Sequence, residues 1–453
     1  MNFSHVGPRL RSFSPILLCG ALLFAEGDPK ALVRDLIGNI EDPARGMLLA
    51  RGSVERVRAA GLPTLTYLVR ELSKTKNVQV RLRLLTVVHA VISEAAAASA
   101  TKKIKLSDEI FQVLDGLVAK KDESFVTRYW VTKSFRHVSN KKMVETLSKV
   151  LQEDEVKETL QIMAIRAIGT ERSGDDILVK YAQSYSFRLR EAVCDSLKGA
   201  KTKQILGVYF QGLIDSNVLV RQAAIQALIV HTGDPKGYNP QALPDINENW
   251  PPIKRWYEWM QNERLHWKPE DQVQFFNCPV PEIRRKVCKS FAGADRPEVL
   301  FTLFTALLDR DEYVREEAVS ILESRENAPP RHDIRAAPEK RRPTEIAWAK
   351  YVQKEVKKWD WVPQARRSSS SAKTVICEAL GGLKQKRVAR FLYYMILDSD
   401  VDVRTAAING LNRYRPADSG FSFNPEGTDR ERRNALGPVH EWLKENQKNF
   451  ADP

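Results

Sequence analysis

Leu213-Ile214-Asp215-Ser216-Asn217-Val218-Leu219-Val220-Arg221-Gln222-Ala223-Ala224-Ile225-Gln226-Ala227-Leu228 decides the fold of this 453-residue chain. After the Asp-Ser-Asn turn signal, apolar residues recur at Val220, Ala223, Ala224, Ala227 and Leu228, the three-and-four spacing of one buried helix face. The pattern is written twice more, as Leu308-Asp309-Arg310-Asp311-Glu312-Tyr313-Val314-Arg315-Glu316-Glu317-Ala318-Val319 and as Leu397-Asp398-Ser399-Asp400-Val401-Asp402-Val403-Arg404-Thr405-Ala406-Ala407-Ile408. In all three an Asp precedes the Arg by six residues.

Around these units lies a longer period. A second cation stands 31 residues before each Arg, pairing Arg190 with Arg221, Arg284 with Arg315 and Lys373 with Arg404, and successive pairs are 94 and 89 residues apart. Cys194, Cys288 and Cys377 keep the same register, each four residues after its cation. Repeats of this length build solenoids whose units touch their neighbours and present a long groove. The unit closely resembles the HEAT-like helical repeat of the phycobilin-lyase class. That resemblance implies an all-α solenoid, an armadillo/HEAT-like superhelix of stacked helix pairs, with Asp and Arg forming a ladder at Asp215/Arg221, Asp309/Arg315 and Asp398/Arg404. The first unit of each block keeps the cation without the Asp, so an incomplete ladder is expected. Weaker units carry cations at Arg81, Arg128 and Lys157.

The expected organisation is a signal peptide at 1–25, degenerate units over 26–180, and three blocks at 181–268, 269–360 and 361–453. Arg9 and Arg11 precede the apolar run Ile16 to Ala25, the layout of a secretory leader. Export to a bacterial periplasm or the exterior follows from it; a capping helix and a cytoplasmic protein is the alternative. No later segment has the length and apolarity of a membrane span. The periodic cysteines fit a small buried residue, because units two steps apart exceed disulfide reach. Cys278, beside Pro279, is left as a lone thiol in a loop.

A Trp-containing insert follows each block. The first runs from Gly233 through Tyr238-Asn239-Pro240 to Trp256 and Trp259; the third repeats the turn as Phe423-Asn424-Pro425 before Trp442; the second, from Pro329 to Trp348, is degenerate. Similar inserts occur in exported bacterial HEAT-repeat proteins. Large rings can anchor a partner, which makes Trp256, Trp259 and Trp442 candidates, although such rings more often pack an accessory helix on its own repeat.

Charge supplies the other candidates. The formal net charge is +14, and residues 331 to 390 hold 16 Lys/Arg against 6 Asp/Glu. Lys340, Arg341, Arg342, Lys357, Lys358, Arg366 and Arg367 are therefore candidate partner contacts, for nucleic-acid phosphates, anionic lipid headgroups or an acidic protein or polymer. No phosphate loop, dinucleotide fingerprint, nucleophile elbow or zinc-protease motif occurs, and the seven histidines lack ligand spacing. The expected function is a non-catalytic scaffold that binds a protein partner along its groove, with no cofactor and no metal. The rival class is a nucleic-acid-binding solenoid of DNA-glycosylase type, for which Trp359-Asp360-Trp361 beside Lys357-Lys358 offers the residue types. A bilin lyase has only the repeat family's name in its favour.

Overall fold

Six of the helices that carry a register cation begin where the sequence supplies a side-chain cap. Asn77, Ser124, Asn217, Asp311, Ser369 and Asp400 each accept a backbone N–H of the helix they open, which satisfies amides left over at every helix start. All six stand four residues before a register cation: Arg81, Arg128, Arg221, Arg315, Lys373 and Arg404. The cation therefore occupies the fourth helical position, and a long side chain there leans back over the preceding turn. Lys157 departs from this rule. It is itself the N-cap residue of its helix, so Gln161 holds the fourth position, and the Lys157 ammonium instead lies 4.5 Å from the centre of the Phe125 ring.

The computed structural model describes residues 28–451, apart from 42–45, 154, 155, 185, 264, 265, 326, 331, 357, 417 and 418. The expected signal peptide and Lys357 lie outside the described residues. The chain forms two compact units, Met1–Leu197 and Lys198–Pro453, and the boundary falls between Arg190 and Arg221. Among the described residues there are no strands; two isolated bridges, Ile104 with Val138 and Gln385 with Ala451, tie loops together. No helix among them is long and apolar enough to cross a membrane.

In the first unit, α1 (Pro29–Glu41) pairs with α2 (Gly46–Ala60), and α3 (Leu65–Lys74), α5 (Asp108–Ala119) and α7 (Lys141–Leu151) stack as one layer. The other layer is α4 (Val78–Ala98), α6 (Phe125–Phe135), α8 (Glu158–Ile168) and α10 (Phe187–Ser196), with α9 (Asp175–Tyr181) as the hairpin partner of α10. Each helix thus buries one face against its hairpin partner and another against the next repeat, the geometry of HEAT-like pairs.

The second unit opens with the hairpin α11 (Lys203–Leu213) and α12 (Val218–Thr232), followed by the insert helix α13 (Trp250–Asn262) packed on α11. After the single turn α14 (Pro269–Gln272), α15 (Pro281–Lys289) stacks on α17 (Glu312–Leu322), itself paired with α16 (Pro297–Leu307). The second insert supplies α18 (Pro338–Glu355), which is not peripheral: it packs on α16 and also on α20 (Ser370–Leu380), joining two repeat blocks with Trp348 fully buried. A short helix, α19 (Val362–Ala365), precedes α20. Then α20 stacks on α22 (Val401–Asn412), whose hairpin partner is α21 (Lys386–Met395), and α23 (Asp429–Asn434) and α24 (Leu436–Asn446) close the chain. At Gly381 an added Cβ would lie 2.5 Å from Gly410 Cα and 2.8 Å from Cys377 O. Glycine is required there because the backbones at the ends of α20 and α22 touch.

The cysteines at 194, 288 and 377 are buried on the register helices. Cys278 is buried as well, 1% exposed, and burial pushes its thiol up to about 12. A loop position did not make it accessible.

The cation register holds the stack together, with partners other than those expected. Arg284 donates from Nε and Nη2 to both carboxylate oxygens of Asp309 at 2.7 Å, and Lys373 donates to Asp398 at 2.8 Å. Arg128 makes the same bidentate pair with Glu153, at 2.9 and 2.7 Å. Each pair spans 25 residues, from one unit to the next. Asp309 and Asp398 therefore serve the cations of the preceding repeat, Arg284 and Lys373, and not the Arg six residues after them. From these two acids Arg315 and Arg404 take the backbone carbonyl, at 2.8 Å, and Arg221 likewise takes that of Asp215 at 2.8 Å.

Their remaining donors hold the inserts. Arg221 Nε donates to Pro240 O at 2.9 Å and Arg404 Nε to Pro425 O at 2.7 Å, in the two aromatic-Asn-Pro turns. Arg315 reaches Ile334 O at 3.4 Å, so the degenerate insert is fastened in the same way. The Trp residues complete the attachment. Trp256 is fully buried and donates its indole N–H to Pro235 O at 3.2 Å. That corrects its candidacy as a partner contact: the ring is buried and the turn at Pro235 supplies its acceptor. Trp259 is half-buried edge-on to Trp256 and beneath the Lys201 ammonium. Trp442 is half-buried among Tyr414, Phe421 and Phe450.

Candidate partner-binding groove

Stacking α18, α20 and α22 aligns their exposed faces, and a cleft of about 950 Å³ runs across them. From α18 come Arg341, Arg342 and Glu345; from α20 come Ser370, Thr374 and Glu378; from α22 and its ends come Asp400, Asp402, Thr405, Asn409 and Arg413. Side chains three and four apart on a helix meet, and accordingly Glu345 receives both arginines, with Arg342 Nη1 at 3.4 Å and Arg341 Nε at 3.6 Å. Across the helix gap, Arg342 Nε lies 3.2 Å from Glu378. Glu345 is buried, and burial raises its carboxyl above the usual range despite Arg342 and Arg341. With Glu339 the lining carries five carboxylates and three guanidiniums.

The basic stretch is therefore not a basic surface at this place. Of the sequence candidates, the groove gathers Arg341 and Arg342. Lys340 and Lys358 are exposed and do not line it. The Arg366 guanidinium lies 4.6 Å from the Tyr394 ring centre, and Arg367 lines a neighbouring cleft. Trp256, Trp259 and Trp442 line neither cleft. Sequence reasoning passed over Glu345, Glu378 and Asp402. Glu345 was within reach, three and four residues after the Arg pair; Glu378 was not, because its place depends on how α18 meets α20.

Two of the residues offered to the nucleic-acid reading, Asp360 and Trp361, have partners within the chain. Trp361 is 1% exposed, stacked on Phe301 at 6.0 Å and edge-on to Phe391 at 5.3 Å. Asp360 pairs with Arg390 at 3.1 Å. Among the described residues, no group of three or more His, Cys, Asp or Glu side chains is arranged to hold a metal ion.

His332, 2% exposed, donates or accepts through Nδ1 at 3.1 Å from the Thr344 hydroxyl. Burial first, then the Arg341 and Arg315 charges, lower its pKa from 6.5 to about 4, opposed by Asp333. The unfolded chain takes up this proton as pH falls through 6.5, whereas the folded chain holds out to about 4. Stability contributed by the neutral ring is therefore lost across that window. Melting curves between pH 7 and 4 are expected to fall less steeply for His332→Asn than for the parent; parallel curves would remove His332 as the cause.

No protein-family model matches the chain, and no curated protein matches it. Among solved structures, the crystal structure of Kap121p aligns over 85% of this chain and 40% of its own, with 10% identity and a TM-score of 0.32. A chain from the structure in which Kap95p binding induces the switch loops of RanGDP to adopt the GTP-bound conformation aligns over 96% of this chain and 65% of its own, with 9% identity and a TM-score of 0.32. This chain thus spans less than two thirds of the length of either. The helix-pair fold rests on the packing described above.

Proposed function

We propose that this chain is a non-catalytic HEAT-repeat scaffold that binds a polypeptide along the groove of α18, α20 and α22. The mixed lining carries the reading. A polypeptide offers both signs of charge and neutral amides, whereas a nucleic acid would bring a phosphate row against Glu339, Glu345, Glu378, Asp400 and Asp402. The burial of Trp361 also argues against base stacking at that place. Export is part of the same proposal and rests on the composition of residues 1–25; a chain recovered from its own cells with a mass beginning near Leu22 or Glu26 supports it, and an intact N-terminus overturns it.

The test of the groove is steric. Thr405 is exposed on α22 and lines the cleft, so Thr405→Trp fills the space without touching the core. Peptides selected from a displayed random library on the parent chain are expected to bind the variant at least about tenfold more weakly, a cost of about 1.4 kcal/mol. Undiminished peptide binding by a folded variant would move the site elsewhere. Duplex DNA binding that Thr405→Trp weakens would put the nucleic-acid reading in its place.

A further inference from the structure

Beside the groove, and sharing Leu308, Arg341 and Ser371 with it, lies a second cleft of about 480 Å³. Five guanidiniums line it, those of Arg284, Arg310, Arg315, Arg341 and Arg367, with Asp309 as the sole carboxylate among its lining residues. Asp309 is occupied by Arg284. Arg315 spends its donors on the carbonyls of Asp309, Arg310 and Ile334, and its buried Nε has no acceptor. Arg341 donates to Ile334 O at 3.0 Å, and Arg310 to Pro279 O at 3.2 Å. Carbonyl acceptors fix the direction of the Arg310 and Arg315 guanidiniums but leave their charge uncompensated, whereas Arg341 also has Glu345 3.6 Å from its Nε. Hydroxyls of Ser368, Ser369 and Ser371 complete the wall.

We propose that this cleft is an oxyanion site that takes a phosphoryl or carboxylate group carried on a side chain of the polypeptide bound in the groove. The inference rests on the partner reading above and names the chemistry of the partner: an acidic or phosphorylated segment. Guanidinium forks match both oxyanions in bidentate geometry. The positive charge beside the cleft is also felt by His332, whose protonation Arg341 and Arg315 oppose after burial. An anion seated between those two arginines relieves that opposition.

The experiment titrates the full chain with inorganic phosphate and, separately, with acetate, at constant ionic strength, following the His332 ring resonances by NMR. Saturable binding with a rise in the His332 pKa is expected, and the tighter of the two anions identifies the oxyanion. Arg310→Gln combined with Arg367→Gln is expected to weaken that binding at least tenfold; both residues lie at the cleft, and Arg310 is exposed, so folding survives and circular dichroism verifies it. Ser371→Ala serves as a milder second variant, with a smaller loss. Non-saturable shifts, or equal affinity in parent and variants, overturn the proposal. The two readings separate cleanly. Peptide binding abolished by Thr405→Trp in a chain that does not saturate with phosphate or acetate keeps the scaffold and removes the oxyanion site. Anion saturation lost in the double arginine variant, in a chain that selects no peptide, keeps the site and removes the polypeptide partner.

Discussion

Replacing Asp309 with alanine is expected to lower the unfolding free energy by about 3–5 kcal/mol, the cost of leaving one member of a buried ion pair alone. The side chains of Arg284 and Asp309 are 6% and 8% exposed, and their two parallel hydrogen bonds of 2.7 Å are of the bidentate kind. Without Asp309, Arg284 keeps only the carbonyls of Cys278 and Pro279, both at 2.8 Å, and these cannot neutralise it. The same carboxylate accepts from the Asp311 amide at 2.9 Å, so the turn before α17 loosens too. Removing both partners at once, as Arg284→Met with Asp309→Leu, should cost much less than Asp309→Ala, because no charge is stranded. Asp398→Ala should cost less as well, since Lys373 makes one hydrogen bond and is 15% exposed. Tryptophan fluorescence is a suitable monitor of urea unfolding: eight of the nine tryptophans lie at or after Trp250, within the second unit. A loss below about 1 kcal/mol for Asp309→Ala, the scale of exposed pairs, would mean that the ladder does not hold the repeats.

The ladder also shows where sequence reading reaches its limit. Helix pairs were legible at Val220, Ala223, Ala224, Ala227 and Leu228 because a 3.6-residue period is a property of one segment. The cation register was legible for the same reason. The partner of each cation was not, because Asp309 lies six residues before Arg315 but faces Arg284, one repeat earlier. Side chains on a helix lean toward its start, so Arg315 arrives over the Asp309 carbonyl while the Asp309 carboxylate is turned back to cap its own loop. A spacing of six reads as a pair; the ion pair itself spans 25. Likewise Trp256 and Trp361 read as platforms for a ligand, yet both fill cores made by the inserts and their neighbours. The basic excess of residues 331 to 390 is cancelled at the groove, where α20 and α22 bring Glu378, Asp400 and Asp402 alongside Arg341 and Arg342.

Arg404→Met should be nearly as damaging as Asp309→Ala, by a different route, and should expose the third insert. Arg404 is 7% exposed and serves three carbonyls: Pro425 at 2.7 Å, and Asp398 and Ser399 at 2.8 Å each. Removing the guanidinium leaves three acceptors without donors, at about 1 kcal/mol apiece, so a loss of about 3 kcal/mol is expected. Arg221→Met removes an equivalent set, on Pro240, Asp215 and Ser216, and should cost a similar amount. What distinguishes the two is the insert. The first insert keeps Tyr238, whose hydroxyl donates to Leu213 O, and Asn249, which donates to Asn239 O and Ala242 O. The third keeps fewer hydrogen bonds, chiefly the Phe421 amide on the Asn412 side chain at 2.8 Å and the Arg432 guanidinium on Gly427 O, beside the buried Phe421 and Phe423 rings of its turn. Limited proteolysis below the melting temperature should therefore cut Arg404→Met within residues 419–428 while Arg221→Met resists cleavage within 233–249. Equal cleavage of both inserts, or a stable Arg404→Met with an intact third insert, would show that the aromatic packing around Trp442 holds that insert and that the arginine only decorates it.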